Sequence, residues 1–231
     1  VRTDLQTLPL RLEYVVNAGR TGSGKTRLLQ ALAAEGAQVL DLEDLAQHRG
    51  SILGGLPDAT QPTQKAFDTR LWQALRGFDA ARPVFVESES RKIGQLHVPE
   101  VLIERMRAHG RCVVLELPDP ARVDLLFDEY RFFAEQPERF ARHMDALTAL
   151  RGRETVERWK ALATAGDWRG VFETLMREHY DPLYQKSMQR NYQGVASAQT
   201  LHLADGSPAS MRSAAQALVR DLSPPLPSCT G

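Results

Sequence analysis

The sequence contains few cysteines and no group of residues spaced as zinc ligands. Only two cysteines occur in 231 residues, Cys112 within an apolar run and Cys229 near the C-terminus. Two thiols cannot form a disulfide framework, and the lack of a C-x-x-C pair or a Cys/His cluster argues against a zinc site. We therefore expect two free thiols in a reducing, cytoplasmic environment.

Long hydrophobic runs and an excess of charge of one sign are also absent. The longest apolar stretches are far shorter than the roughly 18 residues of a membrane-spanning helix, so no membrane association is expected. Lys plus Arg equals Asp plus Glu, at 29 each. The net charge therefore gives no indication of a polyanionic partner, although a basic face would depend on where the charges lie.

The remaining composition is that of a globular α/β protein, with 42% apolar and 25% charged residues. Short β-branched runs alternate with helical patterns, which predicts a parallel sheet of about five strands covered by helices. The predicted strands cover residues 13–17, 38–41, 83–87, 112–116 and 200–203. Helical spacing of apolar residues predicts helices at 25–34, 64–75 and 99–108.

The pattern changes along the chain and divides it into four parts. Residues 1–119 form the predicted α/β core with the first four strands, and residues 120–191 form a mainly helical extension. Residues 192–222 return to the core with the last strand and a helix, and the Pro-rich residues 223–231 are predicted to be a disordered tail. Aromatic residues of the extension recur at spacings of three and four, which favours a helical core over a base-stacking surface.

A phosphate-binding pattern follows the first predicted strand. Residues 19–26, Gly-Arg-Thr-Gly-Ser-Gly-Lys-Thr, match G-x-x-x-x-G-K-[ST] without a gap, and a predicted helix follows them. Glycines let the backbone curl so that N–H groups face phosphate oxygens, and the helix N-terminus adds a positive dipole. The sequence thus predicts a P-loop NTPase-like fold that holds a di- or triphosphate group. The predicted phosphate-binding residues are Gly19, Gly22, Ser23, Gly24, Lys25 and Thr26.

Within this loop Lys25 is predicted to be catalytic, because its ammonium group would reach the terminal phosphate. Thr26 would place its hydroxyl on Mg²⁺ if the metal is present. Acidic residues then follow the predicted strands, at the edge where ligands of open α/β sheets bind. Glu87 is the candidate for the acid that holds Mg²⁺ or orients water in an NTPase. Asp41 and Glu43 are candidates for a base or for contacts with a second substrate.

Two polar clusters lie where a second substrate or a nucleic acid would bind. Arginines just beyond strand ends are suited to phosphate groups because the guanidinium fork can donate two hydrogen bonds. The candidates are His48, Arg49 and Ser51 in the first cluster, and Glu89, Ser90 and Arg91 in the second.

Taken in order, several strings resemble the C-terminal half of bacterial tRNA 2-selenouridine synthase. They are Gly-Arg-Thr-Gly-Ser-Gly-Lys-Thr at 19–26, Val-Leu-Asp-Leu-Glu-Asp-Leu-Ala-Gln-His-Arg-Gly-Ser at 39–51 and Val-Glu-Ser-Glu-Ser-Arg-Lys-Ile-Gly at 86–94, with His-Val-Pro-Glu at 97–100 and His-Tyr-Asp-Pro-Leu-Tyr at 179–184. The resemblance runs from about residue 14 to residue 190. The phosphate-binding pattern is common to many families, whereas the second and third strings are specific to this one.

The resemblance implies a transferase that converts wobble 2-thiouridine of tRNA to 2-selenouridine. In that family, sulfur is geranylated from geranyl diphosphate and the S-geranyl group is then replaced by selenium from selenophosphate. The phosphate loop would accordingly hold geranyl diphosphate. The family's rhodanese domain, with its catalytic cysteine, has no counterpart in this sequence, so we expect it in cis in a longer protein or in trans. Selenation by this chain alone is not expected.

Two other functions are compatible with the same residues. A small-molecule or nucleoside kinase, or another NTPase, would turn over ATP with Mg²⁺. A non-catalytic tRNA-binding domain would show salt-sensitive tRNA binding without any product. The use of ATP or Mg²⁺, the choice of tRNA, the arginines that contact RNA and the oligomeric state stay open at the level of sequence.

Overall fold

A computed structural model describes residues 1–49 and 60–222 of the chain. Ser51 and the predicted tail at 223–231 lie outside these described residues. The strands are β1 (Tyr14–Gly19), β2 (Gln38–Leu40), β3 (Val84–Glu87), β4 (Lys92–Ile93), β5 (Leu96–His97), β6 (Arg111–Glu116) and β7 (Gln199–His202).

Helices account for most of the remaining described residues. They are α1 (Lys25–Ala34), α2 (Leu42–Ala46), α3 (Gln64–Gly77), α4 (Glu100–His109), α5 (Asp119–Glu129), α6 (Phe132–Glu135), α7 (Pro137–Asp145), α8 (Thr148–Arg151), α9 (Arg153–Thr164), α10 (Trp168–Leu175), α11 (Asp181–Asn191) and α12 (Pro208–Leu222). A π-helical turn at Met176–Tyr180 joins α10 to α11, and 3-10 turns lie at Asp4–Gln6, Leu8–Arg11 and Gln193–Ser197.

The central sheet has five parallel strands in the order β2-β3-β1-β6-β7. Strands β1 and β3 are buried throughout, which explains their nearly continuous apolar sequence. The predicted five-stranded parallel sheet is therefore confirmed. An antiparallel hairpin of β4 and β5 follows β3 and was not predicted, because each of its strands has only two residues.

Helices cover both faces of this sheet. Successive residues of a strand point to opposite faces, so Val15 and Val16 of β1 lie in different hydrophobic clusters. Val15 packs with α1 and α12, and Val16 packs with α3 and α4. The two layers hold β1 in the centre of the domain, with the phosphate loop directly after it.

The region from α5 to the π-helical turn has a hydrophobic core of its own, whereas Met188 of α11 packs with the core of the sheet. The helical C-terminal region is thus confirmed. Phe140 lies at the centre of the first core, with ring centroids 5.6 Å from Phe133 and 5.3 Å from Trp168. Trp159 and Phe172 are buried in the same cluster. These rings are thus core residues, as their spacing predicted.

Differences between the predicted and observed elements have local causes. The strand predicted at 38–41 ends at Leu40, because Asp41 caps the N-terminus of α2, a helix that was not predicted. Strand β1 continues to Gly19, two residues beyond the predicted end, because Gly19 still pairs with Leu115 of β6. In the part of the chain that the structure describes, no helix is long and apolar enough to cross a membrane.

Candidate active site

A cavity of about 670 Å³ opens at the carboxyl ends of β1 and β3. One side is formed by the phosphate loop and the start of α1, and the other by α5 and α11. Strand ends of an open α/β sheet are where ligands of this fold class bind, and the volume is within the range of roughly 300–1,000 Å³ for small-molecule sites. The cavity is therefore the candidate active site.

Two glycines within the phosphate loop have a left-handed backbone. Gly22 and Gly24 have φ angles of 78° and 81°, in the left-handed region. A Cβ atom on Gly22 would come within 2.8 Å of the Arg122 carbonyl oxygen. A Cβ atom on Gly24 would come within 2.4 Å of Met211 Cε. Both glycines thus permit the turn and the close packing of α5 and α12 against the loop.

Lys25 lies at the start of α1 with its ammonium group over the loop. Its Nζ donates to the Gly19 carbonyl at 2.9 Å and lies 6.0 Å from the centroid of the Tyr184 ring. The Tyr184 hydroxyl accepts a hydrogen bond from the Gly19 N–H at 2.6 Å. A positive charge and a helix N-terminus therefore meet at one end of the cavity, an arrangement suited to a phosphate anion.

Buried carboxyl groups face this positive end. The pKa of Glu87 is raised to about 8, first by burial and then by the Glu43 carboxylate, while Lys25 and a hydrogen bond from Thr26 oppose the increase. The pKa of Glu89 is raised well above its ordinary value, by burial first and then by Glu43 and Glu87. Mutual repulsion in a buried site therefore favours protonated forms of these acids near neutral pH.

Thr26 and Glu87 fit the Mg²⁺ role predicted for them. Mg²⁺ in phosphate sites is bound by one or two protein oxygens, with phosphate oxygens and water completing the octahedron. Both side chains line the cavity beside the loop, and the buried Glu87 Oε1 has no hydrogen-bond partner among the described residues, so it is available to a cation, whose charge would favour the ionised carboxylate. Within residues 1–49 and 60–222, no group of three or more His, Cys, Asp or Glu residues is arranged to hold a metal ion. Any Mg²⁺ here would therefore depend on the ligand's phosphate oxygens.

The first cluster of predicted second-substrate residues is divided by the structure. Arg49 lines the cavity, donates to the Glu129 carbonyl at 2.8 Å and lies 5.1 Å from the centroid of the Tyr130 ring. Asp41 instead accepts from the Asp44 N–H at 2.8 Å as the cap of α2. His48 is half-buried, and burial lowers its pKa. Among the described residues of this segment, only Arg49 and Glu43 line the cavity.

The second cluster is divided in the same way. Glu89 and Ser90 line the cavity. The side chain of Arg91 is exposed and lies against α4, with ion pairs to Glu100 at 2.9 Å and Glu104 at 3.9 Å. The catalytic and tRNA-binding roles given to these residues stay predictions.

Helix α11 contributes cavity residues that no motif had assigned to the site. Tyr180, just before α11, and Tyr184 lie within the string 179–184 that supports the resemblance, so that string was the available signal. Leu183 belongs to the same string, but no comparable signal pointed to the other lining residues of this wall, which are Leu126, Glu129, Tyr130, Ser187, Met188 and Tyr192.

Comparison with known proteins agrees with the resemblance. Residues 12–157 match the family model of the tRNA 2-selenouridine synthase AAA domain. The tRNA 2-selenouridine synthase of Sulfurovum sp. (strain NBC37-1) is 30% identical over 205 residues, covering 77% of this chain and 54% of that protein. That of Hydrogenovibrio crunogenus (strain DSM 25203 / XCL-2) is 32% identical over 201 residues, covering 74% and 52%.

The chain spans about half the length of these relatives. Among solved structures, a gluconokinase from Sinorhizobium meliloti 1021 aligns over 91% of this chain and 93% of its own, with 14% identity and a TM-score of 0.37. A TM-score this low supports no conclusion about function. The family assignment depends on the sequence matches, and by these the chain belongs to the tRNA 2-selenouridine synthase family, whose AAA domain it carries at residues 12–157.

Proposed function

We propose that this chain binds geranyl diphosphate and transfers the geranyl group to the sulfur of wobble 2-thiouridine in tRNA. It would thus be the P-loop part of an enzyme that converts 2-thiouridine to 2-selenouridine. The observation that carries the proposal is the composition of the cavity. A cationic phosphate loop forms one end, and apolar and aromatic side chains of α5 and α11 form the opposite wall.

This wall suits a ligand with an apolar tail. Leu126 and Met188 line it, and Leu183 contributes a side chain that is 42% exposed. Burial of apolar surface contributes roughly 25 cal/mol per Å², so a prenyl chain would gain affinity by covering these residues. The diphosphate group and the tail of one ligand would therefore each have a matching part of the cavity.

The loop would promote transfer by stabilising the leaving group. As the C–O bond of geranyl diphosphate breaks, negative charge grows on the departing diphosphate and a bond forms between C1 and the thiouridine sulfur. The base then loses its N3 proton, which passes to solvent. Lys25 and the loop N–H groups are fixed before the reaction, so they stabilise the growing charge without reorganisation. Mg²⁺ bound through Thr26 and Glu87 would add positive charge at the diphosphate.

The exchange of sulfur for selenium would need another part of the enzyme. Cys112 of β6 is 5% exposed, and burial raises the pKa of its thiol to about 11. A thiol with so high a pKa is almost entirely protonated near neutral pH and is a poor nucleophile. We therefore propose that selenation from selenophosphate requires a rhodanese domain, in cis or in trans.

The proposal is tested by calorimetric titration with geranyl diphosphate and by geranylation of thiolated tRNA. Replacement of Lys25 by Ala removes the charge at the loop, so we expect binding weaker by roughly 10-fold to 100-fold and no measurable transfer. Lys65→Ala is the matched control, since Lys65 is exposed on α3 and does not line the cavity. It should bind and transfer as the wild type does.

Other outcomes would point to the alternative functions. Binding of ATP-Mg without binding of geranyl diphosphate would contradict the proposal and favour a kinase or NTPase. Salt-sensitive tRNA binding without any modified product would favour a tRNA-binding domain. Equal geranyl transfer by wild type and Lys25→Ala would remove the phosphate loop from the reaction.

A further inference from the structure

We propose that Arg122 is a positioning residue, which fixes the Thr21 carbonyl and thereby turns the Gly22 N–H toward a bound diphosphate. Asp181 of α11 holds Arg122 in the orientation that this requires. The inference rests on the phosphate-binding part of the proposed function, but it is independent of the group attached to the diphosphate.

Arg122 makes two hydrogen bonds to one carbonyl of the phosphate loop. Its Nε and Nη2 donate to the Thr21 oxygen at 2.9 Å and 2.7 Å. The Thr21–Gly22 peptide is trans and planar, so its N–H points away from the carbonyl that Arg122 holds. Thr21 and Gly22 both line the cavity. Arg122 itself does not line the cavity, so it holds this carbonyl on the side away from the cavity, and the Gly22 N–H on the opposite side of the peptide is thereby directed toward the cavity.

The guanidinium of Arg122 is itself held by two carboxylates. Nη1 and Nη2 donate to the two Asp181 oxygens at 3.0 Å and 2.5 Å, and Nη1 also donates to Asp119 at 2.9 Å. The side chain is 1% exposed. A bidentate pair of this kind fixes the plane of the guanidinium as well as its position. The orientation of the loop peptide is thus set by α5 and α11.

A purely stabilising role explains this arrangement less well. Replacing buried ion pairs by apolar residues often leaves stability unchanged or increases it, because desolvation of the charges is costly. Arg122 is not among the cavity-lining residues, so it does not contact a ligand there directly. Its five N–H donors instead converge on the loop carbonyl and on the carboxylates that hold it. This geometry is suited to orienting the loop.

The test is an NMR titration with inorganic diphosphate that follows the amide proton of Gly22. In the wild type this resonance should move as the anion binds. Arg122→Lys keeps the charge but loses the guanidinium fork. We therefore expect its Gly22 resonance to stay in place and diphosphate to bind roughly 10-fold to 100-fold more weakly, while the amides of Lys25 and Thr26 still move at high concentration.

Asp181→Asn is the second variant, and it tests the role of Arg122 if Arg122→Lys does not fold. It keeps the size and one acceptor of Asp181, so the same loss should appear to a smaller degree. Arg158→Lys is the matched control, because Arg158 forms an exposed pair with Glu178 in the same helical region. It should behave as the wild type does.

Unchanged affinity and unchanged movement of the Gly22 resonance in both variants would overturn the inference. So would a wild-type Gly22 resonance that does not respond to diphosphate. A wild type that binds inorganic diphosphate through Gly22 but does not bind geranyl diphosphate would contradict the proposed function and leave this inference intact.

Discussion

At the residue scale, Gly22 and Gly36 share a backbone φ of 78° but differ in their surroundings. A Cβ atom on Gly22 would meet the Arg122 carbonyl oxygen at 2.8 Å and Leu126 at 3.0 Å, whereas a Cβ atom on Gly36 would meet nothing within 4 Å. The pair therefore separates the cost of a left-handed backbone from the cost of steric overlap.

We expect Gly36→Ala to lower the free energy of unfolding by about 1 kcal/mol, the cost of the backbone conformation alone. Gly22→Ala should lower it by about 2–4 kcal/mol, because α5 or the loop must also move. Urea unfolding of the two variants measures both values. Equal losses of unfolding free energy in the two variants would show that α5 and the loop can move apart without an energetic cost.

At the scale of elements, the π-helical turn that joins α10 to α11 is held by α8. Arg151 Nε donates to His179 Nδ1 at 2.9 Å, and Arg151 Nη2 donates to the His179 carbonyl at 3.1 Å. Burial and then the Arg151 charge lower the pKa of His179 from 6.5 to about 4. The imidazole is therefore neutral in the folded protein at a pH where it is partly charged in the unfolded chain.

This difference predicts a pH dependence of stability. A folded-state pKa below the unfolded value means that the unfolded chain binds more protons between pH 6.5 and 4, so stability falls as the pH falls through that range. The full contribution is about 3 kcal/mol. Wild type should therefore lose more unfolding free energy between pH 7 and pH 4.5 than His179→Gln, which cannot titrate.

The control for this experiment is a substitution of an exposed histidine outside the π-helical turn. His97→Gln, on β5, serves this purpose and should leave the pH dependence of wild type unchanged. If the unfolding free energies of wild type and His179→Gln changed with pH in parallel, the pH dependence would not come from His179 of the π-helical turn.

At the scale of the whole molecule, the phosphate loop connects the sheet domain to the helical region. Tyr184 and Asp181 of α11 reach it from the other side of the cavity, Tyr184 through Gly19 and Asp181 through Arg122. A ligand that fixes the loop should therefore slow local opening of α1 and α11 together.

We expect diphosphate at 100 times its Kd to stabilise the protein by about 2.7 kcal/mol, because only the folded state binds it. The melting temperature should rise, and hydrogen exchange should slow in both α1 and α11. Lys25→Ala, with binding roughly 10-fold to 100-fold weaker, should gain only about 0.4–1.4 kcal/mol at the same concentration and show correspondingly smaller changes. Protection confined to α1 would contradict the coupling through Arg122 and Tyr184.

The sequence by itself determined the phosphate loop, the parallel sheet and the family. Each of these depends on signals that are local in the chain. The loop is one uninterrupted string at residues 19–26, and the strands and helices are visible as hydrophobic periodicity. The family match at residues 12–157 likewise follows from ordered strings of residues.

Only the tertiary structure decided which of the polar candidate residues line the cavity and which side chains face the phosphate loop across it. Arg49 and Arg91 both follow strands, yet Arg49 lines the cavity and Arg91 pairs with α4. Tyr184 meets Gly19 across 165 positions of sequence. Such contacts depend on how distant helices pack against the sheet, which no local pattern contains, because periodicity indicates the buried face of an element but not its neighbour.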